Sequence, residues 1–154
     1  MNRAIFLVDG FNLYHSVAAA RLDNGGQCVK WLDLHSLCLN SLHMVGAKVK
    51  DQVKLEGIHY FSALPTHRSV RKQERHNLYM ACLQSSGIRV HLGRFKIKRG
   101  HCSLCNRDED RHEEKETDVA IAAKLFEVCY FGAADSVVLV TGDTDLAPAV
   151  RTCQ

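Results

Sequence analysis

The chain has 154 residues, of which 46% are hydrophobic, and a formal net charge of +3 at pH 7. This length allows one domain with a real core, and no apolar stretch approaches the roughly 18–20 residues that cross a bilayer. The seven cysteines are odd in number and mostly scattered, which argues against a disulfide framework and for reduced thiols. The apolar run before Asp9 is too short for a secretory signal peptide. We therefore expect a cytoplasmic protein with no membrane segment.

Short apolar runs alternate with helical patterns along the chain. Strands are predicted at 3–9, 52–64, 87–97 and 137–140. Helices are predicted at 13–22, 31–45, 66–86 and 113–130, and a last helix is predicted to begin near Thr144. The polar, cysteine-bearing stretch 99–112 reads as an insertion into a single domain that covers residues 1–154. The alternation implies an α/β fold with a mainly parallel sheet. A doubly wound domain usually continues to a further strand, so we expect a truncation at the C-terminus.

Carboxylates stand where two of the predicted strands end. Asp9 follows A-I-F-L-V, and Asp143 and Asp145 follow S-V-V-L-V. In open α/β sheets, ligands bind at the carboxyl ends of the strands. Asp118, one turn into a predicted helix, is a fourth candidate. These four residues are therefore predicted to line one site, although each is also compatible with a simple Asx turn or helix cap.

Gathered carboxylates repel one another and need a cation or raised pKa values. Mg²⁺ and Mn²⁺ are hard cations that prefer oxygen ligands and retain waters. The retained waters leave room for a substrate phosphate and an attacking water, as metal-assisted phosphodiester hydrolysis requires. The acids therefore predict a divalent-metal site.

Three motifs resemble those of the NYN domain family, which is related to the PIN-type nucleases. They are V-D-G-F-N-L at 8–13, E-K-E-T-D-V-A-I-A at 114–122 and V-T-G-D-T-D-L-A-P at 140–148. The resemblance covers nearly the whole chain in the right order. It implies a PIN-like three-layer α/β/α sandwich and a divalent-metal-dependent endoribonuclease. It also implies that Asp9, Asp118, Asp143 and Asp145 bind metal.

Several polar residues complete the site that the resemblance implies. Asn12 would orient substrate or a metal-bound water, and Thr141 stands where the family often has a small hydroxyl residue. Lys115 lies three residues before Asp118, so on a helix it would share that face and contact a phosphate. A solvated lysine paired with a neighbouring glutamate is an equally good interpretation of Lys115.

A basic stretch adjoins an acidic one. From His67 to Arg99, nine Lys or Arg stand against one acid, whereas from Asp108 to Asp118 seven acids stand against two bases. Four of the cations have the spacing of one helical face: Arg68, Arg71, Lys72 and Arg75. Such a stripe is expected to track the backbone of single-stranded or looped RNA, or else it is a solvent-facing cationic surface. Whether a protein partner or a homo-oligomer is also involved stays open.

The segment 101–112 carries a Cys-x-x-Cys pair, Cys102 and Cys105, followed by His112. Zinc favours thiolate and imidazole ligands, and this spacing sets two sulfurs at the right bite. A structural zinc site is predicted, with His101 or His91 among the candidates for the fourth ligand. Bare reduced thiols are the main alternative, and a redox pair is a weaker one because the strand-to-helix setting that activates such thiols is absent.

Two rivals to the nuclease hypothesis share its fold. One is an RNA-binding or adaptor domain with little turnover, because a fold and its acids do not prove activity. The other is a nuclease effector that is silent until a partner engages it. The chain has no phosphate-cradling G-x-x-x-x-G-K-[ST] loop, which argues against nucleotide triphosphate chemistry.

Overall fold

The computed structural model describes residues 1–23, 25–26, 31–102 and 107–154. Its elements follow one another as β1 (Asn2–Asp9), α1 (Gly10–Asp23), α2 (Leu34–Val49), β2 (Val53–Ala63), α3 (Val70–Ser85), β3 (Arg89–Cys102), β4 (Arg107–Lys115), α4 (Thr117–Tyr130), β5 (Ser136–Val140), a 3₁₀ turn (Thr144–Leu146) and α5 (Ala147–Thr152). The strands form one sheet in the order β4-β3-β2-β1-β5. The pairs β3–β2, β2–β1 and β1–β5 are parallel, and β4 is antiparallel to β3.

Helices cover both faces of the parallel sheet. Because side chains alternate along a strand, β1 sends Phe6 and Val8 to one face and Ile5 and Leu7 to the other. The first pair packs with apolar side chains of α2 and α3, including Leu34, Cys38, Met80 and Leu83. The second pair packs with side chains of α4 and the 3₁₀ turn, including Ile121, Leu125, Val128 and Leu146. The predicted three-layer α/β/α sandwich with a mainly parallel sheet is therefore confirmed.

The described residues of the predicted insertion at about 99–112 belong to a long hairpin that β3 and β4 form. The register runs from the Arg94–Lys115 pair to the Cys102–Arg107 pair. The residues of this arm are largely polar, so the apolar alternation that marks a half-buried strand is missing from the sequence. Since β3 pairs with β2 at its start and then continues past it, the arm projects from the carboxyl edge of the parallel sheet.

Helix α4 begins at Thr117 rather than at Glu113. Residues 113–115 belong to β4, and Glu116 then takes a left-handed backbone conformation with φ of 78°. Good helix formers therefore lie in a strand, because pairing with β3 outweighs their local preference. The left-handed turn redirects the chain into α4 immediately before Asp118.

The helices of the described residues are all too short or too polar to cross a bilayer.

Candidate functional site

Asp9 and the loop after β5 meet at the carboxyl edge of the sheet. Val8 is paired with Val140, so the chain leaves β1 and β5 at the same level. After β1 it enters α1, whose Leu13 packs on one face of the sheet, and after β5 it enters α5, whose Val150 packs on the other face. When the connections that follow two neighbouring parallel strands go to opposite faces of the sheet, a crevice forms between them. This crevice is the usual ligand position in such sheets.

Asp9 is the best anchored acid of the site. Its side chain is almost fully buried, with 2% of the residue exposed. Oδ1 accepts hydrogen bonds from the backbone N–H groups of Phe11 and Asn12, both at 3.0 Å. Oδ2 accepts from Asn12 Nδ2 at 2.6 Å and from Thr141 Oγ1 at 3.0 Å. Asp9 therefore caps the start of α1 and joins it to the loop after β5.

A short chain of hydrogen bonds continues from Asp9 along that loop. The backbone N–H of Asp143 donates to Thr141 Oγ1 at 3.0 Å, and that of Asp145 donates to Asp143 Oδ1 at 2.9 Å. Asp143 is the N-cap of the 3₁₀ turn, which confirms that it makes a capping interaction. Asp143 is partly buried, whereas Asp145 is exposed. The structure thus brings Asp9, Asn12, Thr141, Asp143 and Asp145 together.

Asp118 reaches the same site from α4. It lies in the first turn of that helix and is exposed. Partial burial raises the pKa of Asp118, and the negative charges of Asp143, Asp9 and Asp145 raise it further. The four predicted acids therefore lie within electrostatic range of one another. A bound cation would reduce the repulsion between their negative charges.

The donor chemistry of this cluster suits a hard divalent cation, because every candidate ligand is an oxygen atom. In the conformation observed, however, no group of three Asp, Glu, His or Cys side chains among the described residues is arranged to hold a metal ion. Asp9 already accepts four hydrogen bonds, so it is committed to local structure. Ligation by three carboxylates requires side chains to move from these positions.

The predicted cationic stripe is only partly formed. Arg71, Lys72 and Arg75 are exposed and share one face of α3. Arg68 was expected on the same face, but the helix begins only at Val70. Arg68 instead lies in the preceding turn, where its backbone N–H donates to Pro65 O at 2.9 Å. The prediction that all four cations line one helical face is therefore wrong for Arg68.

Lys115 does not share a helical face with Asp118. It ends β4, where it pairs with Arg94, and the left-handed residue Glu116 separates it from α4. Arg94 also forms an exposed ion pair with Glu116, with 2.6 Å between Nη2 and Oε1. The i, i+3 argument for a phosphate contact at Lys115 fails because this segment is a strand.

The predicted zinc site is not tested. Cys105 lies outside the described residues, and Cys102 ends β3. His112 lies in β4, where its ring stacks on that of His67 with 4.2 Å between centroids. A structural zinc bound by Cys102, Cys105 and His112 stays a prediction.

Sequence reasoning missed the role of two glycines in the site. A Cβ added to Gly10 would lie 2.4 Å from Tyr60 Cζ and 2.6 Å from the backbone oxygen of Phe61. A Cβ added to Gly142 would lie 3.1 Å from Asn12 Oδ1. The signal was present in the sequence, because each glycine lies next to an acid of the site. The small size of Gly10 lets α1 approach β2 closely, and that of Gly142 lets the loop after β5 approach Asn12.

The family to which the chain is similar agrees with this architecture. The model of the NYN domain family matches residues 3–154. The chain is 25% identical over 178 residues to the 6-hydroxy-3-succinoylpyridine 3-monooxygenase of Pseudomonas putida. This alignment covers 97% of the chain and 54% of the relative, so the chain spans about half the length of that protein. No solved structure matches the chain.

Proposed function

The chain belongs to the NYN domain family of nuclease-like folds, and from this premise we propose that it is a divalent-metal-dependent endoribonuclease. The observation that carries the proposal is the convergence of Asp9, Asp118, Asp143 and Asp145 at the carboxyl edge of the sheet. The raised pKa of Asp118 has the other three carboxylates among its causes. A phosphodiester hydrolase needs such a concentration of negative charge to hold its metal.

In this proposal Asp9, Asp118 and Asp143 would hold Mg²⁺ or Mn²⁺, and Asp145 would hold a second ion or the attacking water. When bound, such a cation would lower the pKa of a water and offset charge on the scissile phosphate. Thr141 fixes the distance between Asp9 and the Asp143 loop through its two hydrogen bonds. Asn12 is held by its bond to Asp9, and its amide orients the substrate or a water.

The proposed substrate is single-stranded or looped RNA. Its phosphates would contact the exposed cations Arg71, Lys72 and Arg75 of α3, which position the strand without reading its sequence. Arg68 and Lys115 remain candidate phosphate contacts, but from a turn and from a strand end rather than from a helical face. We further propose a cytoplasmic location.

The test is cleavage of an end-labelled single-stranded RNA by the purified chain in Mn²⁺ or Mg²⁺ and in EDTA. The wild-type chain should release internal fragments only with the metal, and Asp143→Asn should lower the rate by about 10²-fold or more while RNA binding persists. Asp51→Asn is the matched control, because Asp51 precedes β2 at the opposite edge of the sheet. Absence of cleavage by the wild-type chain in saturating Mn²⁺ would overturn the proposal.

An RNA-binding or adaptor domain without turnover is the second candidate. The four hydrogen bonds that Asp9 already accepts favour it, because they commit this acid to local structure. RNA binding that is independent of metal, with no cleavage in any divalent ion, would support this candidate. Oxidation of 6-hydroxy-3-succinoylpyridine by the chain would instead favour the activity for which the Pseudomonas putida relative is named.

A further inference from the structure

Helix α1 presents three aromatic rings to solvent beside the acid cluster. Phe11 is 48% exposed, Tyr14 is 57% exposed, and His15 is also exposed. Spacings of three and four residues place the three on one face of the helix. The opposite face carries Leu13, which packs into the core. Phe11 is therefore half exposed although it closely follows the buried strand β1.

The three rings form one cluster. The centroids of Phe11 and His15 are 4.5 Å apart with planes at 73°, and those of Tyr14 and His15 are 5.5 Å apart with planes at 80°. Edge-to-face contacts of this kind are favourable and hold the rings in place relative to one another. The cluster is therefore an ordered aromatic surface, which we call the α1 aromatic face.

The α1 aromatic face is continuous with the candidate site. The backbone N–H of Phe11 donates to Asp9 Oδ1 at 3.0 Å, so the same residue that carries the ring is bonded to the buried acid. The first turn of α1 is thereby fixed at the carboxyl edge, where Asp143 and Asp118 also lie.

We propose that Phe11 and Tyr14, braced by His15, stack on unpaired bases of a nucleic acid whose adjacent phosphate lies at the acid cluster. This assignment rests on the proposed nuclease function and adds a specificity element to it. An unpaired base offers a flat π surface within one nucleotide of a phosphate, and this combination matches rings placed next to a cation site. Bases in a duplex are stacked on each other and cannot reach the rings. The face therefore selects single strands over duplexes without reading sequence.

The test compares binding of two RNAs by fluorescence anisotropy in EDTA, where metal-dependent cleavage is absent. One is a labelled single-stranded oligoribonucleotide, and the other has abasic sites at its central positions. Phe11→Ala and Tyr14→Ala should each weaken binding to the intact RNA by about tenfold. Binding to the abasic RNA should change little, because the stacking partner is already gone.

Two further variants separate stacking from structure. Phe11→Tyr keeps an aromatic ring and should bind like the wild type, whereas Phe11→Leu keeps apolar bulk without the ring and should bind like Phe11→Ala. Because Phe11 is half exposed, all of these variants should melt at the temperature of the wild type. Equal affinity of Phe11→Ala and the wild type for intact RNA overturns the proposal. Equal losses of affinity for intact and abasic RNA also overturn it, because they show that the rings act without contacting a base.

The outcome is separable from that of the nuclease proposal. Ring-dependent binding in EDTA without cleavage in Mn²⁺ supports the aromatic face and overturns the nuclease. Cleavage in Mn²⁺ with kcat/KM unaffected by Phe11→Ala overturns the aromatic face and supports the nuclease. Absence of binding to either RNA overturns the aromatic face.

Discussion

Thr141 Oγ1 donates a hydrogen bond of 3.0 Å to Oδ2 of Asp9, across 132 residues of sequence. The same hydroxyl oxygen accepts the backbone N–H of Asp143 at 3.0 Å. One side chain thus links the acid that ends β1 to the acid that follows β5. The relative placement of Asp9 and Asp143 depends on this hydroxyl.

Replacing Thr141 with Val tests that dependence. The substitution keeps the shape but removes the hydroxyl, which leaves a buried carboxylate oxygen and a backbone N–H without this partner. We expect a loss of about 1–3 kcal/mol in the free energy of unfolding, measured by urea denaturation, and a lower rate of RNA cleavage. Thr141→Ser retains the hydroxyl and should keep most of the stability and most of the cleavage rate. Equal stability of Thr141→Val and the wild type would show that the hydrogen bond is not important.

Replacing Asp118 with Asn should stabilise the fold while abolishing cleavage. Since the pKa of Asp118 is raised in the folded state, its ionised form disfavours folding. At neutral pH the free energy of unfolding of the variant should therefore be higher by about 0.5 kcal/mol, the scale for an exposed charge, and its melting temperature should be slightly higher. The difference should shrink as pH falls through the folded-state pKa and vanish below the ordinary value of 3.8.

Asp135→Asn is the matched contrast to Asp118→Asn. Asp135 is also exposed, but hydrogen bonds and charge from Arg3 lower its pKa. Asp135→Asn should therefore lower the free energy of unfolding at neutral pH, whereas Asp118→Asn should raise it. Added Mn²⁺ should raise the melting temperature of the wild type and of Asp135→Asn more than that of Asp118→Asn. Equal metal responses in all three proteins would contradict a metal role for Asp118.

The apolar runs of the sequence predicted the parallel strands β1 and β5 and the edge where the acids lie. Short apolar runs such as residues 4–8 and 136–140 favour parallel strands, and an acid that follows such a run must lie at the carboxyl edge. The β3–β4 arm was not predictable in this way. Its polar residues carry no burial signal, and its register depends on pairing between Arg94 and Lys115, which the local sequence does not encode.

Within the site, the sequence predicted which acids converge but not how each is held. The bond between Thr141 and Asp9 is long-range, so no local pattern reveals it. Phe11 is exposed because α1 begins at Gly10 and Leu13 faces the core. Residues two apart on a helix differ by about 200° in direction, so Phe11 faces away from the sheet.

Replacing Gly10 with Ala should be strongly destabilising. The new Cβ would lie 2.4 Å from Tyr60 Cζ and 2.6 Å from the backbone oxygen of Phe61, and a backbone atom cannot move aside as a flexible side chain can. We expect a loss of about 1–3 kcal/mol by urea denaturation, the scale of overpacking in a tight core. Gly57→Ala is the control, because its Cβ meets only Arg89 Nη1 at 4.0 Å. A Gly10→Ala protein as stable as Gly57→Ala would contradict the close packing of α1 on β2.

Two histidines pair on β2 and β3, one of them buried and the other partly buried. His59 is 3% exposed, and its Nδ1 lies 2.8 Å from Nε2 of His91. Arg89 Nη1 lies 3.4 Å from His59 Nε2, and a guanidinium only donates. His59 must therefore accept a hydrogen bond at Nε2 and carry its proton on Nδ1. From Nδ1 it donates a hydrogen bond to Nε2 of His91. This arrangement requires both rings to be neutral.

The pair should make the fold sensitive to acid. Burial lowers the pKa of His59 to about 4. The positive charges of Lys124 and Arg89, and of His91 whenever it is protonated, lower it further, while Glu127 opposes them. A lowered histidine pKa means that the stability is complete above the unfolded value of 6.5 and declines as pH falls from there to about 4. The full loss is about 3 kcal/mol, and most of it should be seen by urea denaturation between pH 7.5 and pH 4.5. His59→Gln should lose less stability between these two pH values, because it has no proton to bind, whereas the exposed-residue control His43→Gln should follow the wild type. An equally steep pH dependence in His59→Gln would place the acid sensitivity elsewhere in the chain.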